Sequence, residues 1–269
     1  MSTNNLSLLN PWIGAIAIIV VVLISVIIQL ISNRWFSDDD FDRIQNVGGI
    51  YMTAVGTLYS VVLGMMLVDA SDDFSNARKC IEKESSALFK AYAISSEMPD
   101  GYRSKMESSI SEYTNYITTF EWRKMPINEI REETRSMITR IWYSIKNVEP
   151  KTEYQKALYP LLLQSYDDVL ENRNGMMSYS KYTLTWIEWF CLIAGGALMI
   201  VFTLFFSVRN KVAHAVMTGM VAFMVSINLY AVYILSNPYS GFMEIPTENL
   251  KVLSAYIKEV QDREARKHE

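Results

Sequence analysis

Hydrophobic and polar positions in this chain fall into long blocks rather than a fine alternation. Residues 11–32 carry no charged side chain and consist largely of Ile, Val and Leu. At about 1.5 Å per residue a helix there reaches roughly 33 Å, enough to cross a hydrocarbon core of about 30 Å. β-Branched residues are poor helix formers in water. In lipid the backbone has no competing partner, so a helix is expected regardless. Asn33, Arg34 and Trp35 end the stretch, and a short acidic loop with Asp38, Asp39, Asp40 and Asp42 follows. A second uncharged block covers 44–68 and is ended by Asp69. A third apolar block, whose one charge is Glu188, spans 186–208 with Gly195-Gly196 in its middle, and a fourth, uncharged, spans 212–236 and stops before Asn237-Pro238. Only Arg209, Asn210 and Lys211 separate the last two, so these are expected to form an antiparallel pair. Glu188, near the start of the third block, reads as a solvated interfacial residue rather than a functional intramembrane carboxylate.

Between the second and third blocks the period changes to that of amphipathic helices. Phe74, Ile81, Leu88 and Tyr92, with Ala77 and Ala91 beside them, keep helical spacing. So do Met106, Ile110, Tyr113, Ile117 and Phe120, and then Ile127, Ile130, Met137, Ile138, Ile141 and Ile145. Leu158, Leu162, Val169 and Met176 suggest a fourth helix continuing into the third span. The punctuation agrees. Pro99-Asp100-Gly101, Met125-Pro126 with Asn128 as an N-cap, and Glu149-Pro150 separate the helices. Thr152-Glu153-Tyr154-Gln155 fits a capping box for the fourth, and Pro160 is expected to kink it or shift its start. After Pro246 a final amphipathic helix is expected over about 248–267, with Leu250, Leu253, Ile257 and Val260 on one face.

The pattern therefore predicts an all-α membrane protein: four transmembrane helices with a helical soluble domain inserted between spans 2 and 3. Residues 1–70 hold the first two spans, 71–183 the soluble helical domain, 184–237 the last two spans, and 238–269 an amphipathic tail. Four spans place both termini and the insert on one side. The cytoplasm is the expected side, in a bacterial inner membrane or plasma membrane, although the Lys and Arg near the span ends do not decide it.

Composition narrows the chemistry. Half of the 269 residues are apolar and the formal net charge is -4, so no basic surface for nucleic acid is expected. Several of the six Trp and sixteen Tyr sit near the span ends, as an interfacial aromatic belt would. Cys80 and Cys191, with His214 and His268, do not make a convincing zinc site, and no other metal or cofactor is expected. There is no phosphate loop, nucleophile elbow or HExxH, so no catalytic residue is named and an enzyme is not expected. Asp69, Asp72 and Asp73 lack the glycine and terminal Glu of a calcium loop and read as a solvated helix terminus. The second span is different in kind. Gly56, Ser60 and Gly64 repeat every fourth residue and share one helix face. That face suits either close helix packing of the small-xxx-small type or the wall of a pore.

The order and spacing of several segments resemble the bestrophin-like family of four-span membrane proteins. They are Tyr59-Ser-Val-Val-Leu-Gly64, Asn76-Ala-Arg78, Glu82, Glu84, Ala87-Leu88 and the Pro99 break, then Tyr113, Tyr116 and Glu121-Trp122. Trp186 or Trp189 and Asn237-Pro238-Tyr239-Ser240-Gly241 complete the series, which covers about residues 45–250. The resemblance implies a homo-oligomer, a pentamer, around a central axis, with the second span lining a pore and the tail returning to the insert. Its partners would be the bilayer, its own copies and permeating inorganic ions. On that reading Thr53, Thr57 and Ser60 offer oxygens to the pore, Gly56 and Gly64 leave room, and Met52, Leu63 and Val68 form an apolar constriction. Asp69, Asp72 and Asp73 would ring one mouth, and Asp38, Asp39, Asp40 and Asp42 the other. Such acidic rings favour cations. The competing expectation is a membrane-anchored scaffold or sensor whose insert binds a partner.

The topology is testable directly. Cysteines placed at Ser37 and Ser108 are expected to react with an impermeant thiol reagent from opposite sides of the membrane. Labelling of both from one side would exclude the four-span arrangement.

Overall fold

The computed structural model describes residues 10–35, 38–121, 132–181, 184–206, 210–237 and 248–266. Side chains of 33–47 are outside that description, as are those of 120–121, 180–181 and 264–265. The separators at Met125-Pro126 and Asn128, the apolar Ile127 and Ile130, the segment Pro238-Tyr239-Ser240-Gly241 and Ser37 all lie outside the described residues. Those that are described form eight α-helices: α1 Pro11–Trp35, α2 Asp38–Ser95, α3 Asp100–Tyr116, α4 Glu132–Lys146, α5 Glu153–Lys181, α6 Trp186–Leu204, α7 Lys211–Leu235 and α8 Glu248–Ala265. A single π-helical turn, Ile117–Glu121, extends α3. The chain divides into two compact units, the first holding residues 1–73 and 183–237, the second 74–182 and 244–269.

Two expectations about continuity are corrected. First, α2 is one helix of 58 residues and has no terminus at Asp69–Asp73. Carboxylates do not break a helix, and no proline or glycine falls after Gly64 until Pro99. Asp38 to Asp42 likewise belong to α2 rather than to a loop. Second, α5 does not run on into the third span: it ends at Lys181 and α6 starts at Trp186. Glu188 caps that new start, accepting from the Thr185 backbone N–H at 2.6 Å and from its hydroxyl at 2.9 Å. Pro160 does not delay α5, which begins at Glu153. The expected capping box is present there, with Gln155 N–H donating to the Thr152 hydroxyl at 3.1 Å.

In the first unit α1 packs along α7, and α6 packs on α7 and α1. Among the described residues four helices are long and apolar enough to cross a membrane: α1, the first part of α2, α6 and α7. Ile19, Leu23, Phe190 and Met220 are exposed on them. Side chains this apolar are an expected outer surface only where the surroundings are hydrocarbon. Inside, a ring takes the place of a side chain twice. A Cβ on Gly14 would collide with the Tyr230 ring, and one on Gly195 would lie 2.5 Å from the Tyr59 ring. One buried polar group joins the three helices: Gln29 Nε2 meets His214 Nδ1 at 3.0 Å, and His214 Nε2 meets the Thr203 carbonyl at 3.0 Å. With Gln29 donating to Nδ1, the proton sits on Nε2 and is given to that carbonyl. Both nitrogens of the imidazole are thus satisfied away from water.

The second unit is a water-type helical core. Ile81, Leu88, Met106, Ile110, Tyr113, Ile117, Ile138, Ile141, Ile145, Leu162, Val169 and Met176 are buried in one cluster, as their spacing predicts. Leu250, Leu253 and Ile257 of α8 belong to the same cluster, so the tail packs on the insert of its own chain. At its centre Glu84 and Arg173 are both fully buried, 3.5 Å apart. The Tyr113 hydroxyl donates to Glu84 at 2.5 Å, and the Arg173 guanidinium lies over the Tyr113 ring at 5.9 Å. Arg173 is therefore a residue of the core rather than a surface cation.

Breaking a buried pair leaves a charge without its partner, at a cost of about 3–5 kcal/mol, whereas an uncharged replacement of the whole pair is far milder. Arg173→Met should therefore lower the thermal midpoint of the purified protein sharply. The double variant Glu84→Gln/Arg173→Met, which keeps an acceptor for Tyr113, should recover most of the loss. Equal melting of single and double variants would show that the pair is not coupled. Truncation after Thr247 removes three buried aliphatics, each worth about 1.5–3 kcal/mol, and should also lower the midpoint and weaken the oligomer. A truncated protein that elutes and melts like the full chain would contradict this.

Candidate pore-lining face

The face of α2 that turns outward is set by what the other face must hold. Tyr59 lies against Gly195 and Gly196, and its hydroxyl donates to the Leu192 carbonyl at 3.1 Å. Leu63 is buried with Leu192 and Val232, with Met66 and Leu67 packed alongside. Gly56 abuts α6, where a Cβ would lie 3.1 Å from Met199 Cε. These residues fix the rotation of the helix about its own axis.

The structure therefore divides the residues expected along a pore. Thr53, Thr57, Ser60, Gly64 and Val68 are exposed. At about 100° per residue they fall within roughly 80° of arc, a single stripe along the helix. Nothing lies near Gly64: a Cβ there would meet only open space. Met52 is half-buried and by the same angle lies roughly 120° from the middle of the stripe, on the side of Tyr59 and Leu63. Leu63 and Gly56 face the protein interior, so the small-residue repeat serves packing at Gly56 and openness at Gly64. Beside the stripe the exposed side chains become large and apolar, as at Leu58, Val61 and Met65.

The hydroxyls on the stripe are oriented by the helix itself. Thr53 donates to the Gly49 carbonyl at 2.9 Å, Thr57 to Thr53 at 2.8 Å, and Ser60 to Thr57 at 2.9 Å. Each hydroxyl proton is turned back onto the backbone, and each oxygen presents its lone pairs outward. The stripe is a ladder of acceptors.

The acidic residues are distributed less simply. Asp69 and Asp72 are exposed and Asp73 is half-buried. By the same helical angle Ser71 continues the stripe, Asp72 flanks it, and Asp69 sits on nearly the opposite side of α2. Asp38, Asp39, Asp40 and Asp42 belong to the helix, with their side chains outside the description. No group of three or more His, Cys, Asp or Glu capable of holding a metal occurs among the described residues. The acceptor ladder is what sequence reading missed. The residue types were visible, but the direction of their protons depends on the helix being formed.

Comparison with solved structures matches this architecture. One mutant form of a bacterial bestrophin homologue from Klebsiella pneumoniae superposes with a TM-score of 0.72 at 11% identity, covering 91% of this chain and 98% of that one. Another mutant form of the same homologue gives 0.68 at 12% identity, over 89% and 98%. A structure described as a mutant membrane protein gives 0.70 at 12% identity, over 90% and 98%. At such identities the likeness is one of fold. No curated protein matches the sequence. The bestrophin-like domain itself matches residues 19–250, nearly the whole chain, and the protein is thus an integral membrane member of the bestrophin-like family.

Proposed function

We propose that copies of this chain assemble around an axis, as a pentamer on the family resemblance, into an ion channel whose pore is lined by α2. The observation that carries the reading is the outward ladder of Thr53, Thr57 and Ser60 oxygens on an otherwise apolar helix. Facing lipid, those lone pairs would lie in hydrocarbon, where an unmet polar group is costly. Around a shared axis they face water and ions, and symmetry repeats each oxygen as a ring. Rings of acceptors without donors suit cations rather than anions. Val68 supplies an apolar ring of the kind that gates by dewetting, whereas Met52 turns toward the Tyr59 side of the helix. Asp72, at the flank of the stripe, adds fixed negative charge at one mouth, and the carboxylates of residues 38–42 add it at the other. Exposed charges are screened within about 8 Å at physiological salt, so they enrich cations without choosing among them. The insert and both termini are assigned to the cytoplasm.

The measurement is the reversal potential of the reconstituted oligomer in a KCl gradient. It should lie toward the potassium equilibrium potential. Asp72→Asn should reduce the preference over chloride by a few-fold, and Asp69→Asn less, because Asp69 points away from the stripe. Thr57→Val should cut conductance without changing the assembly. Reversal at the chloride potential would reject cation preference. A verified oligomer that carries no current would favour the anchored scaffold.

A further inference from the structure

The membrane-spanning unit contains a crevice of about 450 Å³ between α1, α6 and α7. It opens on the outer surface of the helices, since Ile193 on its wall is 56% exposed and Ala197 is exposed as well. Its lining is graded. The N-terminal ends of α1 and α6 and the C-terminal end of α7 contribute Gly14, Trp189, Tyr230 and Tyr233. Trp189 and Tyr233 meet edge to face at 6.2 Å. The Tyr230 ring rests on Gly14, and its hydroxyl is buried without a hydrogen-bond partner among the described residues. Farther along the same helices the walls become aliphatic, with Val21, Ile200 and Val225.

The length of the crevice is set by those residues. From Trp189 to Ile200 is about 16 Å along α6, and from Tyr233 to Val225 about 12 Å along α7, at about 1.5 Å per residue. A hydrocarbon core of about 30 Å gives each leaflet roughly half of that. The crevice therefore spans one leaflet, with Trp and Tyr at the end where an aromatic belt lies and aliphatic walls toward the bilayer centre. Water has too few polar partners to fill it. We propose that it binds one acyl chain of a bilayer phospholipid, lying along the helices, with the ester carbonyl accepting from the Tyr230 hydroxyl. This site does not depend on whether the chain conducts.

The full-length protein would be reconstituted in vesicles of phosphatidylethanolamine and phosphatidylglycerol. A fraction of the phosphatidylglycerol carries a photoreactive diazirine on its acyl chain, and adducts are mapped by mass spectrometry. Adducts should concentrate on peptides containing Val21, Ile200 and Val225. Ala197→Phe, which fills the crevice from its open side, should reduce them at least several-fold, and Ala17→Phe, on the α1 wall, should do the same if the first variant misfolds. Leu198→Phe, exposed but outside the crevice, should leave the yield unchanged, and Tyr230→Phe should lower it without abolishing it. Adducts spread evenly over the exposed apolar residues, indifferent to Ala197→Phe, would mean ordinary surrounding lipid and overturn the proposal. So would displacement of the labelled lipid by free fatty acid at low concentration, which would assign the site to that source. Efficient crosslinking between copies through Ala197→Cys would show that a neighbouring chain covers the crevice, and would equally overturn it.

Discussion

The seat of Tyr59 on Gly195 and Gly196 decides how the second helix presents itself. A tyrosine ring reaches α6 at this depth only because neither glycine has a Cβ, and the hydroxyl is then held by the Leu192 carbonyl. Once that contact is made, Leu63 must lie against Leu192 and Val232. The opposite side of α2 is then left to Thr53, Thr57, Ser60 and Gly64. Any side chain at Gly195 would push the ring out and rotate or lift the helix, so the outward stripe depends on an atom that is missing from α6. Packing and presentation are consequently one event in this unit, and the exposed face needs no contacts of its own to be oriented.

Much of the fold is legible in the sequence because the solvent changes along the chain. A lone apolar block of about 20 residues meets its backbone bonds in hydrocarbon as a helix, so such blocks read as spans without reference to propensity, and the water-facing insert shows its core through 3.6-residue spacing. What that reading mishandles is continuity. Asp69, Asp72 and Asp73 look like an end because they end an apolar run, yet a change of solvent is no reason for a backbone to stop. In the other direction, the 158–176 stripe points straight at the third span, but the backbone between α5 and α6 resets, and Glu188 caps the new start. Hydropathy marks where the environment changes; proline, glycine and capping side chains mark where the helix changes.

The outward face of α2 was legible in part for a similar reason. Spacing by four placed Gly56, Ser60 and Gly64 together, but a row of small residues has two flanks. One packs on Met199 and the other stays open, and only the partner helix separates them. Leu63 could not be assigned from α2 alone, because its burial depends on Leu192 and Val232, which are more than a hundred residues away. The buried Glu84–Arg173 pair was hidden for the same reason. Each residue looks like surface until the other is placed opposite it.

Two treatments of polar groups coexist in the spans, and the contrast bears on function. His214 and Gln29 are buried and bond to each other, and His214 also holds the Thr203 carbonyl, which ties three helices together and leaves little exposed to lipid. Thr53, Thr57 and Ser60 bond only backward onto their own helix, tie nothing together, and keep their oxygens exposed. If those hydroxyls served stability alone, alanine would fill the same small volume with better helix propensity and no polar atom to solvate. Three of them in register on one face, bonded back onto the helix and otherwise exposed, are the observation on which the proposal of a pore along α2 rests.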